Sequence, residues 1–442
     1  MVPLSTTYFG VSDFVQNHIF GNISQTNILL YQQTTKLMNY KTLLIALCLF
    51  AICTCDLSYL RMDDQNVALP SPDRNLPTAE YLAYHKYPLE VHYVTTEDGY
   101  ILKYNRIQAK KSKIVSGKKP IFLQHGLLDC SDTWIINEEK LAPAFILANA
   151  GYDVWMGNSR GNMFGRNHTT LNPDTDKAFW NFSFDEMSKY DLPAGFAYIA
   201  NVTGFDKIHY VGHSQGSTTM FIALSTRNQG VLKYLDKVAA FGPVAKVKNE
   251  YSKVLSALAD YNVDWLMYAL GIHEVFAYSW LKHPFLETVC GFLGKVCRAF
   301  LGPIADTDPK VDNYKRMDVL VGHDPAGTSL MNMEHWKQMV KQGNFQAYDY
   351  GAIENLKKYH SLKAPLYDLT KIQEKVYLFA GSTDSLADPT DVAWMRTQLP
   401  NFWFKEYNYG HCTFMWGISN EHMDDLLNIL QGQDPTPTPS SQ

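Results

Sequence analysis

The sequence predicts a mixed α/β fold: a mostly parallel central sheet with helices on both faces, interrupted late by a helical insertion. Three observations carry this. Short β-branched and aromatic runs alternate with longer helix-compatible stretches through the first half of the chain, the rhythm of strand–helix–strand units. One strand-like run, Ile208-His209-Tyr210-Val211, leads into Gly212-His213-Ser214-Gln215-Gly216 and out through a helix-compatible stretch, 218–225. The alternation breaks between about 244 and 370, where helix-like apolar and aromatic stretches dominate, and returns at Lys375-Val376-Tyr377-Leu378-Phe379-Ala380.

The bulk properties bound the answer. A chain of 442 residues that is 46% hydrophobic can bury a large core and carry an elaboration on it. A net charge of -5 with no basic block argues against nucleic acid as a partner. No Gly-x-Gly-x-x-Gly, Walker loop, paired Cys-x-x-Cys or His-Glu-x-x-His occurs, so neither a cofactor nor a metal is expected.

At the amino end, Leu43 to Cys55 is an uncharged apolar run of thirteen residues preceded by Lys41 and ending in small residues. It is too short to cross a hydrocarbon core of about 30 Å as a helix and fits the apolar region of a signal peptide. Residues 38–55 are therefore expected to be a signal, cleaved after Cys55, and 1–37 an upstream extension absent from the mature protein, with Met38 as the start. An exported chain without a transmembrane anchor follows. Removing the signal leaves Cys130, Cys290, Cys297 and Cys412. Cys290 and Cys297 close a short loop and are the best disulfide candidate, whereas Cys130 and Cys412 fit a pair or two buried thiols equally well. Glycosylation sequons stand at Asn167, Asn181 and Asn201; a further one at Asn22 would leave with the extension.

Taken in order, 56–243 reads as the first part of the core. A hairpin is expected where Glu97-Asp98-Gly99 separates Val91–Val94 from Tyr100–Leu102. Ile121–Gln124 is a buried-type strand ending in His125-Gly126-Leu127-Leu128-Asp129, and the helix-like 141–150 leads to a strand at Tyr152–Met156. A helix over 184–200, interrupted at Pro193, feeds the Ile208 strand, and Val238–Phe241 follows. Residues 244–370 form the expected cap and lid, with helices over 263–270, 275–281 and 285–301. Residues 371–432 complete the core with strands at 375–380 and 402–407. The Pro/Thr/Ser-rich 433–442 is expected to be a disordered tail.

Gly-x-Ser-x-Gly between a strand and a helix is the context of a nucleophilic serine in an α/β-hydrolase, with the triad in the order Ser, Asp/Glu, His. Downstream of Ser214 the strand 375–380 ends in Gly381-Ser382-Thr383-Asp384. Asp384 is the candidate acid, with Asp388 and Asp391 as competitors; Asp388-Pro389 resembles the turn that opens a helix. The candidate base is His411, directly after a strand. His422, at a polar helix start, is better explained by a solvated face. The N–H groups of Gln215 and of Leu127 are the candidate oxyanion-hole donors. His125 and His213 are expected to be structural.

The blocks HGLLD (125–129), GNSRGN (157–162), FSFDEMSKYDLPA (182–194), HYVGHSQGST (209–218), PAGTS (325–329) and DSLADPTDV (384–392) resemble the acid lipase family, over about 76–430. The resemblance implies an α/β-hydrolase core with a helical cap and lid, a secreted or lysosomal glycoprotein, and hydrolysis of triacylglycerols or cholesteryl esters at a lipid interface. It implies Ser214 as nucleophile, Asp384 as acid, His411 as base, Leu127 and Gln215 at the oxyanion hole, and Cys290–Cys297 as the cap disulfide at a shorter spacing. Two departures stand out: Gly410-His411-Cys412-Thr413 replaces the family's Asn-His-Leu-Asp, and the chain between Tyr348 and Ala364 looks shorter. The apolar Trp265, Phe276, Trp280, Phe285 and Phe292 are candidates for an acyl tunnel or lid. The alternatives are a carboxylesterase acting on soluble esters and a non-catalytic lipid-binding protein that kept the fold.

Overall fold

Strand register, more than any single helix, decides where the loops of this molecule meet. The computed structural model describes residues 71–249 apart from 75, then 267–268, 271–276 and 310–437. The expected extension and signal, the helix over 285–301, Cys290, Cys297, Trp265, Trp280, Phe285 and Phe292 lie outside these residues.

The strands in chain order are β1 (Leu89–Thr95), β2 (Tyr100–Ile107), β3 (Pro120–Gln124), β4 (Asp153–Met156), the short β5 (Asn167–His168), β6 (Ile208–His213), β7 (Leu235–Phe241), β8 (Glu274–Val275), β9 (Thr328–Ser329), β10 (Val376–Gly381) and β11 (Phe402–Tyr407). The main sheet runs β1-β2-β4-β3-β6-β7-β10-β11, with β5 alongside β2. From β4 to β11 every neighbouring pair is parallel; the β1–β2 hairpin joins antiparallel. The order reverses between β3 and β6, because the chain leaves β3 toward β4 on one side and later returns on the other. Ligand sites of open α/β sheets sit outside the carboxyl ends of the strands at such a point.

Both sheet faces are covered, and alternation along the strands divides the core accordingly. Phe122, Tyr210, Val376, Leu378 and Ala380 pack into one apolar cluster with the helix Gln215–Ser225. Ile121, Leu123, Val211, Tyr377 and Phe379 pack into the other, with the helices Pro143–Asn149 and Glu421–Leu430. Each fully buried large apolar side chain contributes about 1.5–3 kcal/mol.

Four local expectations need correction. The chain is helical from Phe184 to Thr203, with a wider turn over Met187–Asp191 in place of a break at Pro193. Pro193 falls in the first turn of the segment Leu192–Thr203, where its missing N–H costs little. At the start of the expected helix 275–281, β8 instead pairs antiparallel with β9, Val275 opposite Thr328. Residues 433–437 are held in place: Trp403 Nε1 donates to the Pro435 carbonyl at 2.8 Å, and Asp434 accepts from Lys375 and Tyr377. Finally, His422 is buried rather than solvated, ringed by Phe241, Tyr407, Tyr409 and Phe414.

A buried cation ties the hairpin to the layer below it. Arg160, 1% exposed, donates to Asp191 Oδ1 from Nε (2.9 Å) and Nη2 (2.7 Å) and to Asp98 from Nη1 (2.6 Å) and Nη2 (2.9 Å). Its guanidinium lies 4.0 Å from the Tyr100 ring centre. The turn after β1, the loop after β4 and the wide helical turn thus share one charge. Arg160→Met leaves the buried Asp191 carboxylate without its cation, and we expect a loss of about 3–5 kcal/mol, read from the urea unfolding midpoint.

Candidate active site

Gly212 and Gly216 are dictated by close approach. A Cβ on Gly212 would lie 2.6 Å from the Gly216 carbonyl, and one on Gly216 would lie 2.4 Å from the carbonyl oxygen of Gln124. The chain therefore reverses between β6 and the following helix in a space that admits only hydrogen. Ser214, at the apex, adopts φ 51°, ψ -119°, a conformation that costs a non-glycine residue on the order of 1–3 kcal/mol. Its N–H donates to Phe241 O (3.0 Å), and Tyr210 Oη donates to Gly216 O (2.8 Å), so the strained turn is fastened on both sides. The strain lifts the Ser214 side chain out of the sheet at the strand end.

The β3–β6 register pairs Gln124 with Gly212, which brings the loop after β3 beside this elbow. A Cβ on Gly126 would stand 3.1 Å from Ser214 Cβ, so the backbone at Gly126 lies close against the serine. His125 fixes that loop. Ser159 N–H donates to its Nε2 (3.0 Å), which leaves the proton on Nδ1, and Nδ1 donates to Gly126 O (2.8 Å). Burial lowers the His125 pKa to about 4, so the ring stays neutral. Leu127 is half-buried at this loop. Gln215 opens the helix Gln215–Ser225, where a first-turn N–H has no intrahelical acceptor.

On the other side of the elbow, β10 and β11 pair Gly381 with Tyr407, so the loops carrying Asp384 and His411 emerge side by side. His411 Nδ1 lies 3.0 and 2.9 Å from the two oxygens of Asp384, and both residues are buried. Asp384 Oδ1 also accepts from the N–H groups of Leu386 (2.9 Å) and Ala387 (2.6 Å), which hold the carboxylate in place. His213, the residue before Ser214, ties the two halves together. Its Nε2 donates to His411 O at 3.0 Å, with the rings 4.8 Å apart. Burial holds its pKa well below the usual histidine range, so it stays neutral.

The competing acids have other work. Asp388 caps the helix Pro389–Gln398, accepting from Thr390 N–H (2.7 Å), and Asp391 accepts from Asn249 N–H and Nδ2–H (2.8 Å each). Around the departing motif, Gly410 N–H donates to Thr413 Oγ1 (3.0 Å) and Thr413 opens a helical turn, so Gly-His-Cys-Thr is a built corner. Cys130 and Cys412 are both buried. Asn167, Asn181 and Asn201 are exposed, and Phe276 is half-buried. Sequence reasoning gave Gln215 only a backbone role. Its amide oxygen also accepts from Asn332 Nδ2 and Trp336 Nε1 (2.8 Å each), contacts that no local pattern announces.

A pair of carboxyls meets at the end of the loop after β3. Oxygens of Asp129 and Asp324 and the Cys130 sulfur lie within 4.8 Å of one another, donor atoms close enough to hold a metal ion. Burial keeps the Cys130 thiol protonated, and it donates to His323 O at 3.8 Å. Both Asp324 oxygens are buried and take no hydrogen bond from a donor, so two facing carboxyls are best satisfied by sharing a proton. Burial raises both, and repulsion from Asp129 raises Asp324 further. Nearby Asp132 is engaged with Thr78 and with His323 Nδ1 (2.9 Å). The native state thus keeps a proton that the unfolded chain releases above the ordinary carboxylate range. That stability is complete below the unfolded pKa and is lost as pH rises through the native values. We expect Asp324→Asn to lose less melting temperature than the wild type between about pH 4 and about pH 7; equal slopes in the two proteins would contradict the shared proton.

Residues 78–138 match the family model for a partial alpha/beta-hydrolase lipase region, and 119–241 match that for the alpha/beta hydrolase fold. Human gastric triacylglycerol lipase is 40% identical over 370 residues, covering 81% of this chain and 92% of the relative. Human lysosomal acid lipase/cholesteryl ester hydrolase is 40% identical over 363 residues, covering 78% and 88%. The Caenorhabditis elegans lipase lipl-1 is 39% identical over 361 residues, covering 78% and 89%. An α/β-hydrolase sheet of this order and relatives of this similarity place the chain together: it belongs to the acid lipase family.

Proposed function

We propose that the protein is a lipase that hydrolyses esters of neutral lipids, triacylglycerols or cholesteryl esters, through an acyl-enzyme on Ser214. The observation that carries this reading is the buried Asp384–His411 pair, tethered through His213 to the strained residue that follows it. In this reading Asp384 holds the Nδ1 proton and steadies the imidazolium that forms. The Nε2 lone pair of His411 takes the Ser214 proton as the oxygen attacks the ester carbonyl. The N–H groups of Leu127 and Gln215 receive the oxyanion, each worth roughly 3–4 kcal/mol in the transition state. His411 then protonates the departing alcohol, and water releases the fatty acid by the reverse sequence. The mature enzyme is an exported glycoprotein, secreted or lysosomal, with the exposed Asn167, Asn181 and Asn201 as carbohydrate sites. In this reading residues 38–55 are its signal peptide, and Cys290 and Cys297 its candidate disulfide.

Action at a lipid surface, rather than on dissolved esters, is favoured by one exposed patch. Ile353 (75% exposed) and Leu356 (52%) lie on one side of the helix Ala352–Tyr359, with Leu362 (62%) and Leu366 (63%) in the segment after it. Asn355, on the inner side of the helix, donates to Leu362 O (3.3 Å), which folds that segment back against the helix. Lys357, Lys358 and Lys363 flank the apolar residues and suit the fatty-acid anions that hydrolysis releases.

Two experiments test the reading. A fluorophosphonate probe is expected to label the wild type and not Ser214→Ala, and Asp384→Asn to lower kcat by about four orders of magnitude; an unlabelled wild type would exclude the enzyme. Ile353→Glu and Leu356→Glu are each expected to slow hydrolysis of emulsified triolein about tenfold while sparing a dissolved short-chain ester. Unchanged hydrolysis of the emulsion in both variants would point to a soluble-ester enzyme.

A further inference from the structure

We propose that Asn332 and Trp336, on the helix Leu330–Gln342 of the insertion, are positioning residues that hold Gln215 in place as an oxyanion donor. This rests on the reading of Ser214 and Gln215 given above and adds to it a link from the insertion to the reacting centre.

The Gln215 side chain is 2% exposed and every polar atom on it is engaged. Its oxygen accepts from Asn332 Nδ2 at 2.8 Å and from Trp336 Nε1 at 2.8 Å, and its Nε2 faces the Met187 sulfur at 3.4 Å. An indole N–H can only donate, so the amide orientation is fixed: oxygen toward the insertion, nitrogen toward Met187. Asn332 and Trp336 are four residues apart and therefore share one helix face, which points at Gln215.

That helix is itself anchored where it begins. Ser329 Oγ accepts from Asn332 N–H (2.9 Å) and donates to Phe182 O (2.5 Å), and Asn332 Nδ2 reaches Thr328 Oγ1 (3.1 Å). The Trp336 ring packs 5.0 Å from that of Phe184, and the His335 ring stacks on Phe184 at 3.8 Å. None of these bonds is required to close the elbow, which Gly212, Gly216, Phe241 O and Tyr210 already fix. What they add is a second hold on the residue after the nucleophile, through its side chain. With the side chain locked, the Ser214–Gln215 peptide resists rotation, and its N–H is aimed before an oxyanion forms. Preorganised donors of this kind act on the transition state and leave ground-state binding unchanged.

The test uses the full mature enzyme and a dissolved short-chain ester, so that interfacial binding does not enter. Trp336→Phe keeps the ring and deletes only the N–H; Asn332→Leu deletes the second donor. Each is expected to lower kcat about tenfold with KM within about twofold, an unchanged pH profile and an unchanged melting temperature. Affinity for a trifluoromethyl ketone, which forms an oxyanion on the serine, should fall by the same factor as kcat/KM. In a Gln215→Met background, Trp336→Phe should change kcat by less than about twofold, because the shared acceptor is gone. Wild-type kcat in Trp336→Phe, full additivity with Gln215→Met, or a loss confined to KM would each overturn the proposal. Failure of the underlying reading looks different: Ser214→Ala would then retain turnover.

Discussion

The contact between Gly216 and the Gln124 carbonyl sets the geometry on which the rest of the molecule depends. With 2.4 Å between that oxygen and where a Cβ would sit, the helix after β6 can start nowhere else. Once it starts there, Ser214 must turn through positive φ, Gln215 must present its N–H at the helix mouth, and the backbone at Gly126 must lie close against the serine. The sheet register converts this one tight contact into an address for loops from distant parts of the chain. β3 delivers one wall, and β10 with β11 delivers the other. The strain at Ser214 is small beside the burial of the two apolar clusters that hold the strands in register.

Legibility in the sequence followed the range of the interactions involved. Gly-x-Ser-x-Gly, the order of acid and base, and the strand runs are short-range patterns; they singled out Ser214, Asp384 and His411 as candidates and announced the parallel sheet. The Asp388 turn was readable because Asp-Pro is itself a helix-opening signature. His422 was misread because a polar stretch, Asn420 to Asp425, hides that its ring faces four aromatics brought from β7, β11 and the following loops. Residues 433–437 looked disordered by composition, yet Trp403 and Lys375 hold them through partners far off in sequence. The Gln215 side chain belongs to the same class: its partners lie more than a hundred residues downstream and obey no local spacing.

Two pairs of buried groups near the strand ends show how environment assigns roles to the same side chain. Asp384 accepts from backbone N–H groups and lies against an imidazole. Asp324 receives none of these and faces another acid, which favours the proton. One carboxyl is thereby set among hydrogen-bond donors, and the other is held as a protonated acid against a second carboxyl.

Cys412 follows His411 and Cys130 follows Asp129, so each wall of the site carries a buried cysteine. Buried sulfur is inert to alkylating reagents until the surrounding chain opens. The speed with which each is modified therefore clocks the breathing of its own wall, one built on β3 and the other on β11, in the unaltered polypeptide and without an attached probe.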